Sequence, residues 1–599
     1  MLFRMVMSCI LVFVTAHVAA EAKVTNCAKL GSENLDLLFR ESDAAYLARN
    51  PIQRLRRNSA DRTPHFGDMI SDAWLDAERS AAEAEAAALK QIDRATLDPV
   101  RQVSYDMFAW NKALALEGAT PAIRYITDVQ PLDHFFGWQV IMPQLSSGAG
   151  AAPFATAQDY EDNLRRLDEY ALYLDRMVQR LREGLRRDLT QPKRVAETVL
   201  KQFAAEVVDD PKASSFYKPL QSFPAAVLDA DRRRLEGAYQ AFLRDRLIPA
   251  HRQVRDVLKS EYLPRARESV GLGALPGGDA LYRHLIHRQT TTTISPEDAH
   301  RLGISEVARI SAAMEGAKRR TGFSGNLAEF SAFLTRDPRF QPASAEEMHE
   351  AFRAIDVRMT GIVERAFSIL PQTPLDLQPT PAYRAATSAF GEYARGSPDG
   401  SRSGIFYFNT HALPTRFTWV YETLYLHEAV PGHHFQASLA MENAALPNFQ
   451  RFEGPSAFSE GWALYAESLG PELGFYTDPY QHFGHLADEM LRAMRLVVDT
   501  GIHAKGWSRE QAITYMLTHS AMSREEVEFE VDRYIAMPAQ ALSYKVGQIT
   551  IRRLRDKAEK ALGPRFDLRQ FHDEVLSSGR LSLAVLEAKM DRWIAARAK

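Results

Sequence analysis

The spacing of apolar residues predicts α-helices along most of the chain. Between residues 164 and 185, leucine, alanine and valine recur every three or four positions, and charged residues fill the other faces. Ser508 and Ser523 each stand three residues before a Gln or Glu, which is the spacing of a capping box at a helix start. Residues 405–408 form a short apolar run after a glycine-rich turn, which indicates a strand. We therefore expect a mostly α fold with a small sheet.

The first twenty residues have the pattern of a secretory signal peptide. A basic residue, Arg4, precedes a short apolar run, and small residues at 18–20 suit a cleavage site. No later segment has the ~20 apolar residues that a membrane span needs, so we expect no stable membrane insertion. Cys9 and Cys27 are the two cysteines, and neither has the surroundings of a lipid-attachment site. We expect a periplasmic or secreted protein without an intrachain disulfide.

Composition excludes several classes of protein. The chain has 599 residues, 46% hydrophobic and 25% charged, which is ordinary globular usage. Its 73 basic and 76 acidic residues nearly cancel, so no overall field favours nucleic acid. The GLGALPGG sequence at 271–278 is the best candidate boundary, and it divides the mature chain into a helical N-terminal lobe, 21–278, and a C-terminal lobe, 279–599.

The sequence HEAVPGHH carries the most specific chemistry in the chain. A zinc hydrolase needs two imidazoles on one side of the metal, a third ligand that is often a carboxylate, and a carboxylate beside the attacking water. In an H-E-x-x-H helix the two histidines are four residues apart. Here the fourth residue after His427 is Pro431, so the strict motif fails. Glu428 remains in the position of the general base.

The second histidine ligand can be His433 or His434. Six residues turn His433 about 240° from His427 on a straight helix, so this pairing requires a loosened helix. Pro431 and Gly432 are the residue types that permit such a bulge. His434 returns to the face of His427 but lies about 10 Å along the axis. We favour His433 and keep His434 as the alternative.

A second predicted helix supplies the third ligand. It follows Gly454–Pro455, ends before Gly470–Pro471, and carries Glu460 and Glu467 on nearly the same face. We expect Glu460 to bind the metal and Glu467 to orient a histidine from behind.

Three motifs together resemble a known family. HEAVPGHHFQ, SEGWALYAE and PAQALSYKVG are similar to the bacterial proteins grouped as domain of unknown function 885, in the gluzincin metallopeptidase clan. The motifs also resemble those of helical clamshell peptidases such as angiotensin-converting enzyme and thimet oligopeptidase. The resemblance covers nearly all of the mature chain. It implies one Zn²⁺ per chain, a two-lobed, zincin-like helical clamshell with a small sheet beside the metal helix, and a deep peptide channel.

The resemblance also suggests residues beyond the metal. Tyr534 and Tyr544 stand ten residues apart, like a His and Tyr that stabilise the oxyanion in relatives of angiotensin-converting enzyme. The carboxylate-binding Lys and Tyr of those relatives fall on Asp532 and Ala541, so release of carboxy-terminal dipeptides is not supported. His503 is a weaker candidate for a contact with substrate or with the metal surroundings.

These features predict a secreted zinc peptidase. It would hydrolyse short peptides, with His427, His433 and Glu460 as metal ligands and Glu428 as general base. Two alternatives stay open: a zinc hydrolase of non-peptide amides or esters, and a helical binding protein that holds a metal without catalysis. The sequence indicates no oligomeric state.

Overall fold

The computed structural model describes residues 31–57, 63–148, 151–385 and 388–598. The predicted signal peptide and both cysteines lie outside these residues. Most of the described chain is helical, as the apolar spacing predicts. The helices up to residue 290 are α1 (31–49), α2 (Gln53–Arg56), α3 (Asp72–Leu89), α4 (Pro99–Gly118), α5 (Pro121–Thr127), α6 (Trp138–Leu145), α7 (Ala157–Arg186), α8 (Lys193–Ala205), α9 (Asp229–Phe242), α10 (Ile248–Val257) and α11 (Gly278–Thr290).

The second half is also helical and contains the three strands. Its helices are α12 (Pro296–Arg320), α13 (Leu327–Arg336), α14 (Ala345–Thr360), α15 (Ala382–Ala385), α16 (Tyr421–Glu428), α17 (His433–Glu442), α18 (Asn448–Phe452), α19 (Ser456–Ser468), α20 (Pro479–Lys505), α21 (Arg509–His519), α22 (Arg524–Ala536), α23 (Ser543–Leu562), α24 (Leu568–Leu576) and α25 (Leu583–Ala598). The strands are β1 (Leu375–Pro379), β2 (Gly391–Ala394) and β3 (Gly404–Phe408).

Helix starts follow local capping chemistry. Ser508 and Ser523 each accept a hydrogen bond from the backbone three residues on, and the Gln or Glu at that position bonds back to the serine backbone. Both predicted capping boxes are confirmed. The apolar repeat at 164–185 lies within α7, whose buried stripe packs into the core.

The strands form one small sheet beside α16 and α17. Its order is β1-β3-β2, with β1 parallel and β2 antiparallel to β3. Phe406 and Phe408 of β3 are buried against Phe352 of α14. The sheet also adjoins α16 and α17, which contact β2 and β3. The strand predicted at 405–408 is confirmed, and it lies next to the helices of the HEAVPGHH sequence.

Two large hydrophobic cores hold the helices together. One joins α7 and α10 to α20 and α22, and the other joins α4 and α5 to α19, α23 and the sheet. Each core therefore draws residues from both sides of the glycine-rich segment 271–278. That segment itself packs closely on α20, since a Cβ on Gly271 would lie 2.0 Å from the Ile502 carbonyl oxygen. The division into lobes at residue 278 stays a prediction.

Among the described helices, none combines the length and apolar character needed to cross a membrane.

Candidate metal centre

Three side chains from three helices converge at one point. His427 of α16, His433 of α17 and Glu460 of α19 each offer a ligand atom, and these atoms lie within 4.8 Å of one another. Glu460 Oε2 is 3.7 Å from His427 Nε2 and 3.4 Å from His433 Nε2. Zn–N bonds of 2.0–2.1 Å place tetrahedral ligand atoms about 3.3 Å apart, so the group is the right size for an ion. Two imidazoles and one carboxylate are a donor set that zinc favours.

A break between two helices brings the histidines together. α16 ends at Glu428 and α17 begins at His433, and the backbone at Ala429 (φ −103°, ψ −109°) and Gly432 (φ −79°, ψ −127°) is not helical. Trp462 Nε1 donates a hydrogen bond to the Pro431 carbonyl at 2.8 Å, which ties the break to α19. The sequence predicts a loosened helix, and the structure has a full interruption.

Gly432 is required at this break because the chain passes very close to α16. A Cβ at this position would lie 1.9 Å from the His427 carbonyl oxygen and 2.4 Å from the Leu426 carbonyl oxygen. No side chain fits there without moving the backbone that carries the first histidine.

The structure places His434 away from the convergent group. Its Nδ1 is 3.2 Å from the Tyr393 hydroxyl on β2, and its ring is buried against that tyrosine. Burial lowers the pKa of His434 to about 4. Of the two histidines, His433 is the one beside Glu460. His434 instead packs α17 on the sheet and is buried from solvent.

Glu467 holds the ring of His427 from behind. Its Oε1 is 2.6 Å from His427 Nδ1, so Nδ1 carries a proton and Nε2 faces Glu460. Thr423 donates to Oε2 at 3.0 Å, and His485 Nδ1 is 3.5 Å from the same oxygen. Although burial alone would raise it, these contacts hold the pKa of Glu467 well below its usual range. This is the position predicted for Glu467.

His427 and Glu460 carry complementary pKa shifts. Burial lowers the pKa of His427, but the bonds to Glu460 and Glu467 outweigh burial and raise it to about 10. Burial raises the pKa of Glu460, and the two imidazoles outweigh that effect and hold it well below the usual range. The carboxylate is thus kept ionised, as a metal ligand must be, whereas the imidazole of His427 would have to release a proton to bind a metal.

Glu428 adjoins the group and has no partner. It makes no hydrogen bond or ion pair with any residue that the structure describes, and its side chain is half-buried. Burial raises the pKa of Glu428, His433 and His427 lower it, and Glu460 raises it further, with a net upward shift. A free carboxylate with a raised pKa is suited to accept a proton from water.

The two candidate tyrosines differ in their hydrogen bonds. The Tyr534 hydroxyl donates to Glu530 Oε2 at 2.6 Å and accepts from Arg495 Nε at 3.2 Å, inside the core. Its only proton is thus donated to Glu530, and a role of Tyr534 at an oxyanion stays a prediction. Tyr544 accepts from Arg533 at 3.0 Å and keeps its hydroxyl proton available.

His503 contacts backbone groups through both of its ring nitrogens. Its Nδ1 accepts from the Leu272 backbone N–H at 3.2 Å, and its Nε2 lies 2.9 Å from the Tyr534 carbonyl oxygen. These contacts hold the ring between two backbone segments, and a contact of His503 with substrate or with the metal surroundings stays a prediction.

One protein-family model matches most of the chain. The model described as "Bacterial protein of unknown function (DUF885)" matches residues 55–590. The chain belongs to the DUF885 family. No curated protein matches it significantly.

Two solved structures share the fold of this DUF885 protein. One is described as "The crystal structure of the putative lipoprotein from Colwellia psychrerythraea"; it is 25% identical, with a TM-score of 0.85, and the match covers 94% of this chain and 99% of the other. The second, "a putative lipoprotein of unknown function from Shewanella oneidensis", is 18% identical, with a TM-score of 0.71 over 92% of this chain and 98% of the other. At this level of identity, the second structure shows only that the two folds are similar.

Sequence reasoning missed three side chains around Glu467 in this DUF885 member. They are Thr423, His485 and Arg492, whose NH2 is 4.0 Å from Glu467 Oε1. His485 and Arg492 are seven residues apart, so they share one face of α20. Two polar residues at this spacing on an otherwise apolar helix face were the sequence feature that could have indicated these contacts.

Proposed function

We propose that this DUF885 protein is a zinc peptidase of the cell envelope or of the secreted fraction, and that it hydrolyses short peptides. One observation carries the proposal: His427, His433 and Glu460 converge beside Glu428, whose carboxylate has no partner among the described residues. A structural cluster of this kind would pair its charges internally, whereas a free half-buried carboxylate fits a proton acceptor.

His427, His433 and Glu460 would hold the ion. Bound zinc would supply two effects, a lower pKa for a water and the polarisation of a carbonyl oxygen. The side chains of His433 and Glu460 are 18% and 20% exposed, so water and substrate have access to the group. Glu467 keeps the first imidazole turned toward the centre.

The chain's own residues then divide the acid, base and binding roles. Glu428 takes a proton from the attacking water and passes it to the leaving amine. The Tyr544 hydroxyl donates a hydrogen bond to the carbonyl oxygen of the substrate as negative charge develops on that oxygen. Arg533 fixes that hydroxyl, and the guanidinium of Arg495 lies over the Tyr544 ring at 4.4 Å.

The choice of short peptides and of the cell envelope comes from resemblance. The motifs are similar to those of helical clamshell peptidases, whose channels admit unfolded chains. The described lipoprotein relatives suit a protein exported from the cytoplasm. Cleavage of an intact folded protein at the same rate as short peptides would contradict the size preference.

Glu428→Gln tests the proposal. We expect the variant to keep about one zinc per chain and to lose peptide hydrolysis by about 100-fold or more, since the general base is removed. Glu350→Gln, which changes an exposed carboxyl of α14, is the matched control and keeps full activity. Turnover of a peptide library with the zinc-loaded protein is the measurement. Full activity of Glu428→Gln, or no cleavage of any peptide by the zinc-loaded parent, would contradict the proposal.

A further inference from the structure

A large cavity lies between the N-terminal helices and the start of α19. Its volume is about 730 Å³, within the range of sites that hold small ligands and peptide segments. Residues of α1, α3, α4 and α11 form most of the wall, and 453–456 close one side.

The cavity reaches the helix that carries Glu460. Ser456 lines the wall and is the first residue of α19. Glu460 comes four residues later, on the same face and about 6 Å along the axis. The Ser456 hydroxyl is also 2.9 Å from that of Ser543, the residue before Tyr544. A chain bound in the cavity would therefore approach the convergent group and the free tyrosine together.

The charges on the cavity wall are balanced with one exception. Each charged residue of the lining other than Arg288 has an ion-pair partner within 3.1 Å among the described residues. Arg49 with Glu78 at 2.8 Å, and Arg124 with Asp128 at 3.0 Å, are examples.

Arg288 is the exception. It stands near the end of α11, is exposed, and makes no ion pair with any residue that the structure describes. An arginine fork matches the two oxygens of a carboxylate and binds them with charge-assisted hydrogen bonds. Every lining carboxylate is already paired, so the complementary charge is missing from the protein itself.

We propose that Arg288 binds a carboxylate of the substrate, and that this cavity is the substrate chamber of the enzyme. The inference rests on the proposed peptidase function. It names the substrate class: peptides that present a carboxylate, at the C-terminus or on an acidic side chain, to Arg288 in the cavity wall.

Binding of labelled peptides tests this assignment without turnover. The zinc-loaded Glu428→Gln protein is titrated with three dansyl-labelled pentapeptides: a peptide without charged side chains that ends in a free acid, its C-terminal amide, and the amide with a C-terminal Glu. The same titrations use this protein with Arg288→Gln or Arg79→Gln added. Arg79 lines the same cavity but is already paired with Glu83 at 3.1 Å, so its variant is the matched control.

We expect one carboxylate peptide to bind roughly ten- to hundredfold more tightly than the neutral amide, and Arg288→Gln to remove that preference. Arg79→Gln keeps it. Preference for the free acid assigns a terminal carboxylate, and preference for the Glu amide assigns an acidic side chain. Equal binding of all three peptides, no binding at all, or a preference that survives Arg288→Gln would overturn the inference. If the parent cleaves no peptide but Arg288-dependent binding remains, the hydrolytic proposal fails and the carboxylate site stands.

Discussion

At the residue scale, the metal group depends on a second layer of hydrogen bonds. Glu467 is fully buried, with His427, His485 and Thr423 around its two oxygens. It fixes which nitrogen of His427 carries the proton and leaves the other free for a metal.

Glu467→Gln should weaken zinc binding about 10- to 100-fold, because the amide cannot accept from His427 with the strength of a carboxylate. Glu472→Gln is the control, since Glu472 pairs with Arg555 nearby and has no contact with the histidines. Competition for zinc against a chelator of known affinity gives the measurement. Equal affinity in parent and Glu467→Gln protein would show that the ring of His427 needs no such support.

The two tyrosines predict opposite mutant phenotypes. Tyr544→Phe removes the free hydroxyl proton and should lower kcat about 100- to 1,000-fold while zinc content is kept. Tyr534→Phe removes a buried donor to Glu530 and should instead lower the free energy of unfolding by about 1–3 kcal/mol. Steady-state kinetics and urea unfolding of both variants separate the roles. A loss of kcat with Tyr534→Phe as large as with Tyr544→Phe would reverse the assignment.

This distinction between Tyr534 and Tyr544 was not predictable from sequence. Both are tyrosines in one short segment. Glu530 stands one turn before Tyr534 on α22, and the packing of α20 on α22 brings Arg495 to the same hydroxyl, a long-range contact that leaves no local pattern. The convergence of His427, His433 and Glu460 was largely predictable from their residue types, although the six-residue spacing of the two histidines departs from the usual motif and requires a break in the helix.

At the element scale, the interruption between α16 and α17 determines the geometry of the group. The Pro-Gly pair predicts that the helix cannot continue unchanged. It does not predict the direction in which the chain resumes, which depends on Trp462 of α19 holding the Pro431 carbonyl.

Gly432→Ala should destabilise the protein by about 2 kcal/mol or more and reduce its zinc content, because the new Cβ would collide with the His427 carbonyl. Gly237→Ala is the control. Gly237 lies within α9 with nothing within 4 Å of an added Cβ, so we expect a gain of about 0.5–1 kcal/mol. Urea unfolding and zinc analysis check both variants. Normal stability and zinc content in Gly432→Ala would show that the interruption tolerates a side chain.

Across the whole molecule, a buried carboxyl joins three segments that are far apart in the sequence. Asp499 of α20 accepts from the Tyr282 hydroxyl of α11 at 2.6 Å and from the Ala539 backbone N–H at 3.0 Å. Burial raises the pKa of Asp499 to about 7, in spite of these two hydrogen bonds. The folded protein therefore holds a proton that the unfolded chain releases near pH 4.

The stability contributed by protonated Asp499 is fully present below about pH 4 and is lost as the pH rises through about 7. Asp499→Asn is neutral at every pH and can still accept both hydrogen bonds. Its stability relative to the parent should therefore increase between pH 5 and pH 8, which urea midpoints at the two pH values will measure. A difference that stays constant with pH would mean that Asp499 titrates near its ordinary pKa.

The sequence predicts the mostly helical class of the fold, but it does not predict how the helices pack into cores. Apolar spacing and the capping residues Ser508 and Ser523 follow local rules, so the mostly helical fold is confirmed. The packing of the cores was not predictable, because each core combines helices from both sides of residue 278. Contacts such as Tyr282 with Asp499 join residues 217 positions apart and leave no local pattern.

The zinc content of purified protein tests the central claim most directly. It is measured in the parent and in His427→Ala, His433→Ala, His434→Ala and Glu460→Ala, each after zinc is supplied and excess metal is removed. The geometry predicts about one zinc per chain in the parent and in His434→Ala, and a loss of the ion in the other three variants. A parent without tightly bound metal, or an ion lost with His434 and kept without His433, would contradict the metal centre described above.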